Sequence, residues 1–137
     1  MTLQQDAKPV PHPTDESKPY WDAADQGRLR LQRCDDCGKA RHYPQLACAA
    51  CCSLRSEWFD AAGVGTVYSW TIAHHPFHPA FRDDLPYVLA TIDLAEGVRL
   101  MGRFPLDDQA KLRIGLPVTI AFVRNEAGVS LPVFTPA

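Results

Sequence analysis

The sequence has no long apolar run and only a small excess of charge. Among its 137 residues, 14 are basic and 16 acidic, so the net charge is −2 with the histidines neutral. No stretch approaches the roughly 18 consecutive apolar residues of a membrane-spanning helix, and the N-terminus lacks the basic start and apolar stretch of a secretory signal. We therefore expect a cytoplasmic protein without a membrane partner. The slightly acidic total also disfavours nucleic acid as a partner.

The familiar signatures of catalytic sites are missing as well. The chain has no Gly-x-Ser-x-Gly, no glycine-rich phosphate loop and no His-Glu-x-x-His. No pair of carboxylates stands out as an acid–base couple. The hydrophobic share of 46% is that of a globular chain, and the length fits one compact domain or two very small ones that share a core. We therefore expect a folded protein without a self-sufficient active site.

The five cysteines are confined to one short segment. Four of them form two Cys-x-x-Cys pairs with ten residues between the pairs: Cys34, Cys37, Cys48 and Cys51. Disulfides are disfavoured in a reducing compartment, whereas two such pairs match a four-cysteine zinc site. Gly38 suits the tight turn that points one pair of sulfurs at a metal. A shell closed by four sulfurs has no open position, so we predict a structural metal, with zinc favoured over iron.

The fifth cysteine, Cys52, directly follows the second pair. A nucleophilic role would require a histidine close in space, which a sequence does not reveal. We interpret Cys52 as a small, partly buried neighbour of the metal and assign it no chemistry.

The N-terminal part of the chain divides into two segments. Residues 1–14 hold three prolines and no periodic apolar pattern, which predicts a flexible arm or one that orders only against a partner. Residues 15–27 predict a short helix that Ser17 can cap. Its apolar residues form one stripe, which favours contact with the core or with another subunit: Tyr20, Trp21 and Ala24.

The remaining chain predicts a zinc ribbon over residues 28–59 and a barrel over residues 60–137. Polar and apolar residues alternate over 28–33, which is typical of a strand leading into the first cysteine pair. Five further alternating stretches follow within about 75 residues, separated by glycine and proline. We predict a mainly β fold: an N-terminal helix and a rubredoxin-like zinc ribbon, followed by a five-stranded OB-fold barrel. Residues 105–115 are expected to form a short helix or an irregular loop.

In the first barrel strand, the alternation predicts that Tyr68, Trp70 and Ile72 share one face. The excursion after this strand, residues 74–86, concentrates histidine, phenylalanine and proline. Stiff aromatic loops commonly line binding surfaces. One interpretation is a ligand or partner loop, with the phenylalanines as anchors and the basic groups meeting anions. The alternatives are a structural loop that plugs the barrel end, and a metal or acid–base site at the histidines with Asp83.

Several motifs, in order, resemble one known family. They are Tyr20-Trp21, Gly27-x-Leu29-x-Leu31-x-x-Cys34-x-x-Cys37-Gly38, Cys48-x-x-Cys51, Glu57-Trp58, Gly63-x-Gly65-x-Val67-Tyr68-Ser69-x-Thr71 and Pro86-Tyr87-Val88. Over residues 15–135 the chain resembles the acyl-CoA-associated proteins that join a rubredoxin-like zinc ribbon to an OB-fold, long catalogued as a domain of unknown function. One departure is the stretch Tyr43-Pro44-Gln45-Leu46, where many relatives carry a Pro-Pro-Arg-like sequence.

This resemblance implies a partnership with a thiolase-like enzyme or an acyl-CoA hydratase subunit. In such assemblies the partner holds the catalytic residues, while the small subunit supports the complex and helps to form the channel for CoA. Because the arginine of the relatives is absent, any phosphate contact that it made would come from Lys39, from Arg41 or from elsewhere in the chain, or be lost. The candidate CoA- or partner-contacting residues are Lys39, Arg41, His74, His75, Phe77, Phe81 and Arg82.

We therefore predict a non-catalytic auxiliary subunit of a thiolase-superfamily complex (thiolase, aldolase or acyltransferase), with structural zinc and a CoA thioester as shared ligand. One alternative is a stand-alone protein that binds acyl-CoA or hydrolyses its thioester. Another is a nucleic-acid-binding module, because zinc ribbons and OB-folds both serve that role elsewhere. The acidic residues among the aromatic ones disfavour the second alternative.

Overall fold

The computed structural model describes residues 7–137 and shows an N-terminal helix, a three-stranded sheet and a closed five-stranded barrel. The helices are α1 (Lys18–Asp25) and the 3-10 helices η1 (Pro79–Asp84) and η2 (Leu106–Lys111). The strands are β1 (Arg30–Cys34), β2 (Ala40–Arg41), β3 (Ser56–Asp60), β4 (Val64–Ala73), β5 (Tyr87–Leu94), β6 (Arg99–Phe104), β7 (Pro117–Arg124) and β8 (Ser130–Pro136). This arrangement confirms the predicted fold. No helix within residues 7–137 is long and apolar enough to cross a membrane.

The barrel closes in the order β4-β5-β6-β8-β7. β5 lies between β4 and β6, and every second residue of β5 is buried. Such strict alternation occurs because successive side chains of a strand point to opposite faces. The buried side chains form one apolar core that extends to the helix and the ribbon: Tyr20, Leu29, Leu31, Val67, Val88, Ala90, Ile92, Leu94, Val98, Leu100, Phe104, Leu116, Val118 and Phe134.

A β-bulge in β4 corrects one sequence prediction. Val67 lies opposite Ile92, but the next pair joins Ser69 to Thr91, so that Tyr68 has no direct partner. An extra residue in one strand reverses the side-chain alternation that follows it. Trp70 and Ile72 therefore lie opposite Ala90 and Val88, which are buried, whereas Tyr68 is exposed and packs under the guanidinium of Arg99. The prediction that Tyr68 shares a face with Trp70 and Ile72 was wrong.

The ribbon sheet has the order β2-β1-β3, with both neighbours antiparallel to β1. α1 packs beside it and buries Tyr20, Ala23 and Ala24. Ser17 lies at the N-cap, but its side chain makes no bond to the first turn of the helix. Its hydroxyl instead accepts a hydrogen bond from the backbone N–H of Thr14 at 2.9 Å. The predicted side-chain cap is therefore wrong, because Ser17 bonds to the segment that precedes the helix.

The predicted N-terminal arm lies partly outside the described residues. Of the described part, Lys8 forms an ion pair with Asp84 at 3.0 Å, and Asp84 also contacts Arg103 at 3.3 Å. The ammonium of Lys8 lies 5.8 Å from the ring centroid of Phe81. Lys8 thus joins the N-terminal segment to the excursion between β4 and β5. The short structure expected over residues 105–115 is η2.

Candidate functional site

Two turns of the ribbon present the four cysteine sulfurs to one point. The first turn follows β1, where the N–H of Gly38 donates to the carbonyl of Cys34 at 2.9 Å. The second turn repeats this bond, from the N–H of Cys52 to the carbonyl of Cys48 at 2.8 Å. Because both pairs have the same local geometry, each turn delivers two sulfurs from four consecutive residues.

The spacing of the sulfurs fits a tetrahedral metal ion. The four Sγ atoms lie within 4.8 Å of one another, with 3.5 Å between Cys34 and Cys51 and 3.6 Å between Cys37 and Cys48. A tetrahedron with metal–sulfur bonds of about 2.3 Å has edges of about 3.8 Å. Within residues 7–137, these cysteines are the one group of three or more potential ligands whose donor atoms converge. The histidines of the excursion form no such group.

The electrostatics of the four sulfurs also fit a cation. Backbone N–H groups of Cys51 and Ala50 lower the pKa of the Cys48 thiol to about 6, so that this sulfur ionises readily. At Cys51 the N–H of Ser53 acts in the same direction, but the sulfur of Cys34, burial and the other sulfurs outweigh it and raise its pKa to about 12. Adjacent thiolates repel one another, and a divalent cation bound between them offsets this repulsion.

A polar bridge joins the two turns on their outer side. The carboxylate of Asp36, in the first turn, accepts hydrogen bonds from the hydroxyl of Ser53 and the guanidinium of Arg55. These bonds, with that from the Arg55 guanidinium as the largest cause, lower the pKa of Asp36. The backbone N–H of Asp35 also donates to the carbonyl of Arg55 at 3.1 Å. The bridge therefore holds the turns in register beside the sulfurs.

Cys52 closes the second cysteine turn in a left-handed backbone conformation. It is exposed and has a φ of 63°, close to the 75° of Gly38, which occupies the same position in the first turn. Both residues thus adopt the left-handed conformation that closes the turn. The partly buried neighbour expected from the sequence is therefore an exposed one.

A cationic groove lies between the ribbon and the barrel. Its cavity of about 260 Å³ is lined by Lys39, Arg41 and Arg99, together with the β5–β6 turn and residues 48–50 of the second cysteine turn. Among residues 7–137, no carboxylate lines it. Asp93 holds Arg99 through a hydrogen bond of 2.7 Å from its Nε. The groove therefore presents three cationic side chains from two parts of the fold.

Arg41 is fixed in this groove by the ribbon itself. Its Nε donates to Oε1 of the buried Gln32 at 2.8 Å, and its Nη2 donates to the carbonyl of Gln45 at 3.0 Å. Gln32 also accepts from the N–H of Gln45 at 2.9 Å. The third nitrogen, Nη1, is buried and has no hydrogen-bond partner among residues 7–137. The ribbon therefore immobilises the guanidinium, which contributes a fixed positive charge to the lining of the groove.

The excursion forms a separate surface. Phe77 is 84% exposed and lies edge-on to His75, with 5.0 Å between ring centroids. Nδ1 of His78 accepts from the N–H of Ala80 at 3.2 Å and thereby begins η1. Phe81 packs tilted against Tyr87, with centroids 6.3 Å apart.

The structure does not bring the predicted contact residues into one site. Lys39 and Arg41 line the groove, whereas none of the excursion residues does: His74, His75, Phe77, Phe81 and Arg82. The sequence reasoning missed Arg99, which a β5–β6 hairpin brings to the ribbon, and Gln32, which sets the orientation of Arg41. The alternating pattern of β1 marked Gln32 as a solvent-facing residue and concealed its role.

A four-sulfur ribbon fused to an OB barrel defines a small class of proteins, and comparisons place the chain within it. Residues 21–54 match the rubredoxin-like zinc ribbon domain of ChsH2, and residues 58–123 match the C-terminal OB-fold domain of ChsH2. A solved structure described as the Ltp2-ChsH2(DUF35) aldolase is 39% identical, with a TM-score of 0.81 over 93% of this chain and 98% of that one. The chain belongs to the ChsH2-like DUF35 family, as the resemblance predicted.

Two longer relatives are also similar. A probable enoyl-CoA hydratase alpha subunit of Thermomonospora curvata is 42% identical over 118 residues, which cover 86% of this chain and 36% of the relative. The 3-oxo-4,17-pregnadiene-20-carboxyl-CoA hydratase alpha subunit of Mycobacterium tuberculosis is 33% identical over 121 residues, covering 88% and 38%. The chain therefore spans about a third of the length of these curated relatives.

Proposed function

We propose that this chain is a non-catalytic auxiliary subunit of a complex that acts on acyl-CoA. Its partner would be a thiolase-superfamily enzyme or an acyl-CoA hydratase subunit. The observation that carries the proposal is the match along 98% of a chain described as part of an aldolase. The structure adds that the four-sulfur cluster has no ligand position left for a substrate. A cytoplasmic location remains a prediction.

In this proposal, Zn²⁺ bound by Cys34, Cys37, Cys48 and Cys51 supplies structural cross-linking and no reaction chemistry. Residues of the ribbon stabilise the ligands and fix the two turns. The backbone N–H groups of the two turns stabilise the thiolates, and the Asp36–Arg55 bridge fixes the turns against each other. The result is a rigid wall for the cationic groove, since Cys48 lies in both the cluster and the groove lining.

The cationic groove is where we expect the phosphate groups of a shared CoA thioester. CoA carries several phosphate oxygens, and guanidinium and ammonium groups bind these by charge-assisted hydrogen bonds. The exposed Lys39 and Arg99 would donate to the phosphate oxygens, and Arg41, whose Nη1 is buried, would add its fixed charge. In this proposal, the groove makes the phosphate contact that many relatives would make through an arginine in the stretch corresponding to residues 43–46.

The exposed tip of the excursion suits contact with a partner protein rather than with CoA phosphate. Phe77 is a large apolar side chain with little cover of its own, and aromatic anchors of this kind dominate protein interfaces. The excursion also carries Arg82, which has no ion pair among the described residues. Phe77, His75 and Arg82 would then contact the partner on a surface separate from the groove.

The test is a pull-down of the tagged chain from its host, with mass spectrometry and metal analysis of the eluate. We expect a stoichiometric thiolase-like or hydratase partner and one zinc per chain. Zinc-loaded chain recovered alone, or bound to nucleic acid, would contradict the proposal. Thioester turnover by the purified chain alone would contradict its non-catalytic role.

Substitution at Arg41 tests the groove within that complex. Arg41→Ala removes the fixed charge from the groove lining, so we expect the Kd of the complex for CoA to rise about tenfold, which corresponds to about 1.4 kcal/mol. Isothermal titration with CoA measures this. Arg82→Ala is the matched control, since it removes the same charge from the excursion. A rise for Arg82→Ala and none for Arg41→Ala would assign CoA binding to the excursion instead.

A further inference from the structure

One edge of the barrel is open along most of β4. β7 pairs with β4 only through Val64, Gly65 and Thr66. The last backbone bonds on this side join the N–H of Val67 to the carbonyl of Leu116 at 3.0 Å, and the N–H of Gly115 to the carbonyl of Val67 at 2.8 Å. On its other side, β4 continues to pair with β5 as far as Ala73.

Residues 68–73 therefore form a free strand edge, which we call the β4 edge. Past Val67, no strand within residues 7–137 lies beside β4 on this side. A strand edge presents a row of unpaired N–H and C=O groups, which is a template for another extended chain. The β4 edge is six residues long, and this length is typical of a complete strand.

Beyond the bulge at Tyr68, the β4 edge lacks the features that normally prevent pairing. β4 contains no charged residue and no proline. The ribbon sheet differs, since its outer strand β3 carries Glu57 and Asp60, and its other outer strand, β2, has only two residues. Charges and short strands are the usual protection of sheet edges. Their absence on β4 indicates a surface kept for a partner strand.

The side chains beside the β4 edge define the segment that fits. Trp70 points to the core side of the sheet but is 38% exposed, because no strand covers it there. Ser69 and Thr71 lie on the opposite, solvent side. The incoming segment would therefore need apolar residues at every second position, to cover Trp70 and Ile72, and polar residues between them.

Charge favours a different chain over a second copy of this one. Arg113 lies in the turn that meets Val67, where the β4 edge begins, and it has no ion pair among the described residues. Two copies that paired through β4 would offer Arg113 no carboxylate, since residues 64–75 contain none. A segment with an acidic residue at that end would complete both the strand and the ion pair.

We infer that the β4 edge binds an extended segment of the partner subunit as an added strand, with alternating apolar residues and a carboxylate that meets Arg113. This inference rests on the proposed function for the existence of that partner. It goes further in naming the surface and the backbone pairing by which the partner is recognised. It also explains why Trp70 is left half uncovered at the open side of the barrel.

Hydrogen exchange on the free chain and on its complex with the purified thiolase-like or hydratase partner tests the pairing. In the free chain, the edge-facing amides of residues 68–73 should exchange rapidly, and the complex should slow their exchange at least a hundredfold. A complex without this protection overturns the inference and leaves the proposed function standing. Failure of any such partner to bind overturns both. Concentration-dependent protection in the free chain would assign the edge to a second copy and overturn the inference.

Two matched variants separate edge pairing from docking on the face of the sheet. Thr71→Lys adds a charge on the open strand, and Thr91→Lys adds the same charge to the same face of β5, whose two edges are both occupied. Edge pairing predicts that Thr71→Lys raises the Kd for the partner at least tenfold and that Thr91→Lys changes it less than threefold. Equal losses for both variants would overturn the edge pairing. Unchanged circular dichroism and thermal unfolding show that both variants are folded.

Discussion

The ribbon and the barrel reach a defined structure by different means. In the barrel, strands closed into a ring bury an apolar core with Phe134, Ile92 and Val88 almost inaccessible to water. The cysteine turns of the ribbon are mostly exposed, and the buried side chains between residues 34 and 55 are Cys34, Pro44 and Cys48. A segment with so little buried apolar area requires another source of stability, and a metal supplies it.

The different structures of the ribbon and the barrel determine where a binding surface can form. The ribbon uses its side chains for the metal and for polar bridges, and one of these bridges, from Gln32, holds Arg41 in the lining of the groove. The barrel uses its side chains for the core and exposes its open strand edge and its excursion. The groove lies where the two meet, because neither part alone supplies Lys39, Arg41 and Arg99.

Removal of one sulfur should have the largest effect on stability, and this effect should be confined to the ribbon. Cys48→Ser should abolish metal binding, with the loss of a stabilisation of about 10 to 16 kcal/mol in comparable small zinc sites. Amide protection over residues 34–55 should collapse, while β5 and β6 keep theirs. Hydrogen exchange and metal analysis measure both. Cys52→Ser should keep one metal per chain. Loss of the metal from Cys52→Ser, or a loss of amide protection in the barrel of Cys48→Ser as large as that in its ribbon, would contradict the expectation that the metal stabilises the ribbon alone.

Truncation of the barrel core should have the converse effect. Phe134→Ala empties a fully buried position and should lower the free energy of unfolding by about 3 to 5 kcal/mol. Urea titration followed by fluorescence measures the change, and the folded variant should still bind one zinc. Phe77→Ala removes the same ring from an exposed site, so its effect should stay within about 0.5 kcal/mol. Comparable losses for both variants would contradict this account of the core.

Acid should weaken the junction between the helix and the ribbon. Burial lowers the pKa of His42 from 6.5 to about 4, and its ring lies 5.0 Å from that of Tyr20. Between these pH values the unfolded chain binds a proton that the folded chain does not. The contribution of the buried, neutral His42 to the free energy of unfolding, up to about 3 kcal/mol, is therefore complete above pH 6.5 and lost as the pH falls towards 4.

Thermal unfolding between pH 7 and 4 measures this loss. His42→Phe keeps an aromatic ring against Tyr20 without a titrating group, so its stability should change less over this pH range. Parallel loss of stability in both proteins, with zinc retained, would show that His42 does not contribute.

The smallest expected effects compare the two cysteine turns. Gly38→Ala places a side chain at a φ of 75°, where no neighbouring atom interferes, so its cost of about 1 to 2 kcal/mol reflects backbone conformation alone. Cys52→Gly removes the same cost at a φ of 63° and should raise stability by up to about 1 kcal/mol. Urea titration of the zinc-loaded proteins resolves both. Changes of the same sign would contradict the equivalence of the turns.

Local patterns allowed much of the fold to be predicted. The spacing of the cysteines constrains the chain within each turn, so their convergence followed from four residues. The alternation over residues 87–94 likewise predicted the strand β5. The bulge at Tyr68 was not predictable, because an inserted residue leaves no mark on an alternating sequence until its pairing partner is known.

The groove escaped prediction for a related reason. Lys39 and Arg41 are close to the cysteines in sequence, and the resemblance to the family pointed to them. Arg99 lies far along the chain and reaches the ribbon only through the turn of the β5–β6 hairpin. Gln32 was hidden because one buried polar residue in a strand looks like any solvent-facing position.

In the function proposed above, this chain supports the chemistry of a partner and carries none of its own. Thioester turnover by the purified partner, titrated with the zinc-loaded chain and with each protein also assayed alone, tests this proposal. We expect no turnover by the chain alone, and a partner activity that rises and saturates at one chain per partner subunit. Turnover by the chain alone, at a rate that the partner does not change, would contradict it.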